Sequence, residues 1–221
     1  MEQVLLTALK DVVEDGTTAR AISRIVGDRH ELEVCRGSAY FHANGFLKCP
    51  LWVEPATGRK VVVHAWPQSA GRWSAEHIHD HRWDFASVLL CGGYRYELFE
   101  VSSDAELEVD IHEYRSLGAS VEYQLVRSAP SRVGRVVGGE WTAPAGYALH
   151  RSVLHRLSSV QPGTVTLVLQ GTVEADSTRV ALTANSRLGS SPVVVRRPTS
   201  DELRAELLRV RELLRFRQRA D

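Results

Sequence analysis

Between Glu31 and Val195 the chain breaks into short runs rich in Val, Leu, Tyr and Trp, punctuated by Gly, Pro, Asn and Asp. Gly45-Phe46-Leu47, Val61-Val62-Val63, Ser87-Val88-Leu89-Leu90, Tyr94-Arg95-Tyr96 and Val165-Thr166-Leu167-Val168-Leu169 are examples. Many short strands without helices alternating between them exclude a doubly wound α/β sheet and predict an antiparallel barrel or jelly roll. Helical signals are confined to the ends. Glu2 to Val13 and Thr18 to Ile25 read as two helices separated by Glu14-Asp15-Gly16-Thr17, where Gly16 stops one and Thr17 caps the next. After Pro198, Thr199-Ser200-Asp201-Glu202 reads as a capping box, and Leu203, Leu207, Val210 and Leu214 recur at helical spacing. The expected organisation is a helical extension over 1–30, a β-barrel over 31–195 and an amphipathic helix over 196–221.

Composition limits the function classes. Lys plus Arg equals Asp plus Glu, 27 against 27, so no net field would hold the chain on nucleic acid or an anionic membrane. The Arg-rich face of the last helix interleaves Glu206 and Glu212 with Arg204, Arg209, Arg211 and Arg215, which predicts a solvated face rather than an RNA contact. No run of ~18 apolar residues is present to span a bilayer, and the first ten residues lack a basic start and a cleavage site. Cys35, Cys49 and Cys91 fall at unrelated spacings, which fits neither a disulfide framework nor a structural zinc knuckle. The expectation is a cytoplasmic protein with reduced thiols.

The chemistry concentrates in Glu76-His77-Ile78-His79-Asp80-His81, followed by Arg82-Trp83-Asp84-Phe85. In an extended strand, alternate side chains share a face, so His77, His79 and His81 point one way and two of them can grip one ion. Neutral imidazole suits iron, zinc, nickel or copper. Downstream, Trp141-Thr142-Ala143-Pro144-Ala145-Gly146 forms a P-x-G turn, with His150 four residues and His155 nine residues beyond its glycine.

From His79 the order is H-x-H, three residues, Phe85, six residues, Gly92, and this resembles the first motif of the cupin family. The P-x-G turn resembles the opening of the second. Together the resemblance covers about residues 40 to 175. It implies a mainly β fold, a single cupin-type double-stranded β-helix (jelly-roll barrel) with N- and C-terminal helices. Phe85 stands where cupins usually carry a glutamate ligand, so the implied site is three neutral histidines, similar to that of the cysteine-dioxygenase-like subgroup. His79 and His81 supply two ligands. The third is His155, whose distance from the next strand suits the family, with His150 as the alternative ligand. Asp84 lies one residue off the glutamate register.

A neutral ligand set leaves a divalent ion its full charge and open positions for an anionic substrate and O2. The resemblance therefore implies Fe(II) and an oxygenase of a small polar or amino-acid-like metabolite. Zn(II) acting as a Lewis acid in an isomerase, lyase or bond-forming enzyme is the alternative, and a non-catalytic ligand-binding cupin is the third reading. Ala86 stands where the subgroup often carries a cross-linked cysteine, which argues against cysteine itself as substrate. Ser87, Leu89 and Cys91 are expected to share the interior face with Phe85. Candidate catalytic residues are Tyr147 beside the second-motif turn, Ser87 as a polar anchor, His77 as a base at the mouth and Arg82 as a carboxylate clamp. His64 and Trp66 share a strand face as core or rim, and Tyr94 and Tyr96 share another. The expected partners are a small substrate and O2, not nucleic acid or membrane, with a homodimer through an exposed sheet edge as the assembly the fold would favour.

Overall fold

The computed structural model describes residues 2–42, 44–68, 77–116, 123–183 and 195–217. Three helices open the chain: α1 (Glu2–Glu14), α2 (Thr17–Gly27) and α3 (Arg29–Ser38). Gly16, at φ 76, turns the chain between α1 and α2. The cap of α2 differs from expectation: Thr17 is its first residue, and Asp15 accepts the Thr17 N–H at 2.7 Å and its hydroxyl at 2.9 Å. Asp28 caps α3 by accepting from the N–H groups of His30 and Glu31. The helical segment therefore reaches Ser38, past the boundary expected at residue 30.

The last helix, α4 (Ser200–Arg217), starts at the expected reciprocal box, with Thr199 N donating to Glu202 and Glu202 N donating to Thr199 Oγ1. Leu203, Leu207, Val210 and Leu214 are fully buried in one cluster with Leu9, Ile22 and Leu32. Burial of each such side chain stabilises by about 1.5–3 kcal/mol, so the stripe fixes α4 against the N-terminal helices. Arg209 pairs with Glu206, and Arg211 and Arg215 with Glu212, but Arg204 donates to Val26 O and Arg209 to Gly163 O, so the face expected to be solvated is partly packed on the protein.

Among the described residues, twelve strands lie between the helices in two antiparallel sheets. The first, in spatial order, joins β1 (Tyr40–Phe41), β2 (Leu47–Val53), β3 (Lys60–Ala65), β11 (Val165–Gln170), β5 (Phe85–Cys91) and β9 (Ala145–Leu149). The second runs β10 (Leu154–Ser158), β4 (Ile78–His79), β12 (Thr178–Leu182), β7 (Leu107–Ser116), β8 (Tyr123–Thr142) and β6 (Gly93–Val101), and β6 pairs back to β10. An open sheet lies against a sheet that closes on itself, two facing antiparallel sheets consistent with a β-sandwich or jelly roll. The closure comes from β8, long enough to pair with both β6 and β7. Mainly β architecture with terminal helices matches the expectation.

Strand alternation divides the interior into three cores. On the outer face of the first sheet, Leu47, Cys49, Val61, Val63, Val165 and Leu167 pack under the helices. Its inner face sends Phe46, Trp66, Phe85, Leu89 and Val168 against Tyr94, Tyr96 and Leu157 of the second sheet. Ile78, Phe99, Val109, Val133, Leu154 and Ala181 fill the closed sheet itself. One expected face assignment fails. Val165 pairs with Cys91 but Thr166 with Leu89, so a bulge at Leu90 breaks the alternation. Cys91 consequently packs with the helix-side core, away from Leu89.

The turn from β5 into β6 needs its glycine. Gly92 sits at φ +79, and a Cβ there would lie 2.3 Å from Thr164 Oγ1.

Candidate metal centre

β4 is only two residues long, yet it places His79 directly opposite His155 of β10 and beside Val180 of β12. On β10 the same alternation that sends Leu154 into the closed sheet sends His155 out toward the first sheet. His81 follows His79 by two residues and its N–H donates to Arg151 O at 3.0 Å. The three rings converge, with centroids 5.0 Å apart for His79 and His81, 4.7 Å for His79 and His155, and 5.0 Å for His81 and His155. One nitrogen from each lies within 4.8 Å of the others, so the trio could hold a metal ion.

Tautomers are set by the backbone. His79 Nδ1 meets His77 O at 2.8 Å and His155 Nδ1 meets Val153 O at 3.1 Å, contacts that require Nδ1–H to donate and leave Nε2 with its lone pair. Burial and the neighbouring imidazoles push His81 well below its usual pKa, and burial holds His155 at about 3. Both are therefore neutral near pH 7, the state in which imidazole binds a metal. Three imidazole donors, His79 and His155 presenting Nε2 because their Nδ1 atoms meet backbone carbonyls, with no carboxylate among them, fit a divalent ion bound at ~2.0–2.1 Å from nitrogen.

Two buried carboxylates hold this arrangement from behind. Asp80, between the paired ligands, accepts Arg179 N and Arg179 Nε, each at 2.6 Å, and Arg179 also donates to Ser152 O at 3.0 Å. Asp84 accepts Arg151 N at 2.9 Å. Both ties reach the 150–153 turn that leads into β10, linking the segment that carries His79 and His81 to the strand that carries His155. The Asp84 carboxylate also faces the Arg151 guanidinium at 3.5 Å and the His150 ring at 3.8 Å, and no contact joins it to the three rings among the described residues.

Phe85 occupies the place next to the trio, its ring 4.9 Å from His81, 5.6 Å from His155 and 5.9 Å from Tyr147. Tyr147 and Ser87 are partners across β5 and β9, and both line a cavity of about 90 Å³ that the three histidines also line. The other proposed residues fall elsewhere. His150 is 43% exposed and bonds Ser152 Oγ, apart from the three rings. Arg82 lies over Trp83 at 5.7 Å, outside the lining, so it is not placed to clamp a ligand there. His77 contributes its carbonyl to His79, while its half-buried ring does not line the cavity. Residues 69–76, just before His77, lie outside the described residues.

The sequence reading missed part of the cavity wall. Lys48, His42, Asn44, Thr166 and Gln170 line it together with His64 and Trp66. In register, Lys48 of β2 pairs with His64 of β3, and His64 with Thr166 of β11, making one polar row across three strands. A lysine between Leu47 and Cys49, both buried on the opposite face, was the available signal.

No family model matches the chain, and no curated protein matches it. Among solved structures, one resembling it is hydroquinone 1,2-dioxygenase PnpCD in complex with Cd2+ and 4-hydroxybenzonitrile, at 14% identity and TM-score 0.34. That match covers 56% of this chain and 62% of the other, under two thirds of its length. Drosophila melanogaster CENP-C bound to CAL1 matches at 7% identity and TM-score 0.33, over 71% of this chain and 98% of that one. Likenesses this slight transfer neither neighbour's chemistry to this chain.

Proposed function

We propose that the chain is a cupin-type enzyme built on one divalent metal ion held by His79, His81 and His155, with Fe(II) as the native metal and oxygenation of a small polar metabolite as the reaction. The observation that carries this reading is the convergence of three imidazoles on a cavity, two of them held by Nδ1 contacts to backbone carbonyls, with no carboxylate among its described lining residues. Bound iron would supply a site where O2 and substrate meet and the electrons that activate O2. The protein's own residues do the rest. Phe85, Trp83 and Tyr147 wall the ion with aromatic surface and limit water beside it. Ser87 and Tyr147, facing each other across two strands, orient a substrate's polar groups. Burial keeps His81 and His155 unprotonated so that ligand binding is not in competition with protons near pH 7.

Zinc in the same three-histidine set, leaving an open fourth position for water or substrate, is the second reading, favoured by the same neutral ligands. Elemental analysis of protein purified without an affinity tag, with O2 uptake after anaerobic Fe(II) loading, separates the two. One iron per chain and iron-dependent O2 consumption support the oxygenase. One zinc per chain without uptake replaces it by Lewis-acid chemistry, and absence of any metal leaves a binding module.

A further inference from the structure

The wall formed by β2 and β3 carries charge that nothing in the cavity balances. Lys48 is the one Lys or Arg among the described lining residues, no Asp or Glu lines the cavity with it, and no carboxylate pairs with it among the described residues. Its ammonium stands 6.0 Å from the Tyr40 ring and 5.8 Å from Trp83, and Trp83 stacks on His81 at 5.6 Å. The cation is thus one aromatic ring away from a proposed metal ligand. His64, its partner in register, is half-buried as a residue, but its Nε2 atom is shut off from solvent and finds no hydrogen-bond partner among the described residues. A buried polar atom left without a partner costs about 1–3 kcal/mol, which a bound group or water at that spot would recover. His42 completes the corner, its ring stacked on Phe46 at 4.7 Å and its Nδ1 accepting Asn44 N, so its Nε2 bears the proton.

We propose that Lys48 and His64 form an anion subsite that receives the carboxylate of a short substrate whose second donor reaches the metal at His79, His81 and His155. This rests on the metal-centred reading above and names the substrate class for it. The ligand set is neutral, so a bound divalent ion keeps both its charges while Lys48 adds a third, and a ligand carrying negative charge at both ends is the one that neutralises such a cavity. Size restricts the class further. At about 90 Å³ the cavity is smaller than one of roughly 150 Å³ that accommodates a benzene ring, so the substrate is a carboxylate of a few carbons.

The test compares malonate with malonamide, which have the same shape and differ in charge, by calorimetry on metal-free and zinc-loaded protein. Malonate is expected to bind the zinc-loaded protein and malonamide to bind far more weakly. Lys48→Met should weaken malonate by about ten- to a hundredfold, the range of a hydrogen bond to a charged group, while zinc stoichiometry stays that of the wild type. Lys48→Arg, which keeps the charge, should retain most of the affinity. Equal binding of malonate to wild type and Lys48→Met, equal binding of the two probes, or no malonate binding at millimolar concentration overturns the subsite. If the chain binds no metal but the metal-free protein still binds malonate in a Lys48-dependent way, the metal reading falls and the anion subsite stands.

Discussion

Asp80 separates His79 and His81, the paired ligands of the proposed metal centre, and its loss should be felt twice. Its side chain is 7% exposed and accepts two short hydrogen bonds, from Arg179 N and Arg179 Nε. The backbone bond to a carboxylate contributes about 1.5–3 kcal/mol. The guanidinium is 41% exposed, so that pair adds no more than about 1 kcal/mol. Asp80→Ala is therefore expected to destabilise the metal-free protein by about 3 kcal/mol, whereas Asp80→Asn, which keeps a neutral acceptor for Arg179 N, should lose about half of that. The second effect is on the ion. β4 has few other ties, namely its pairs with Val180, Ala181 and His155 and the bond from Asp80 N to Arg179 O. Loosening such a support commonly lowers metal affinity by about 10- to 100-fold. Urea unfolding of metal-free protein measures the first effect, and zinc competition against a chromophoric chelator the second. An Asp80→Ala variant with wild-type stability and wild-type zinc affinity would refute the claim that this carboxylate aligns the ligands.

Three further outcomes are expected. His155→Ala should abolish tight zinc binding while His150→Ala leaves it unchanged, because His155 faces the other two ligands and His150 faces solvent; chelator competition on both variants checks this. Burial holds His42 and His155 at about 3 against an ordinary 6.5, so the unfolded chain takes up protons that the folded protein does not. The stability they allow is present above pH 6.5 and lost progressively as pH falls toward 3, by about 1 kcal/mol per group between pH 7 and 5.5, which urea midpoints of metal-free protein should reveal. Leu207→Ala, at a fully buried position in the α4 stripe, should cost about 2–5 kcal/mol in the same assay, with zinc stoichiometry unaltered since α4 packs on the far side of the first sheet.

The His79 and His81 pair and the strand-rich texture were legible because both are local patterns of period two. The capping box of α4 was legible for the same reason, lying within four residues. What escaped the sequence depends on contacts distant in the chain. Lys48 and His64 become neighbours of the three histidines only once β2 and β3 pair and the two sheets face each other. Cys91 left the expected face because of a bulge at Leu90, visible only in the register with β11. Asp80 and Asp84 could not be recognised as supports, since their partners Arg179 and Arg151 lie 99 and 67 residues away. α3 was missed despite a local signal, Asp28 three residues before Glu31, as was the inward face of β2, where Lys48 stands between Leu47 and Cys49.

X-ray absorption at the metal edge, on protein loaded with one equivalent of Fe(II) or Zn(II), addresses the centre most directly. The account predicts outer-shell scattering from three imidazoles with light-atom neighbours and no sulfur, reduced to two imidazoles in His155→Ala. A spectrum with a sulfur neighbour, or the same imidazole count in wild type and His155→Ala, would contradict it.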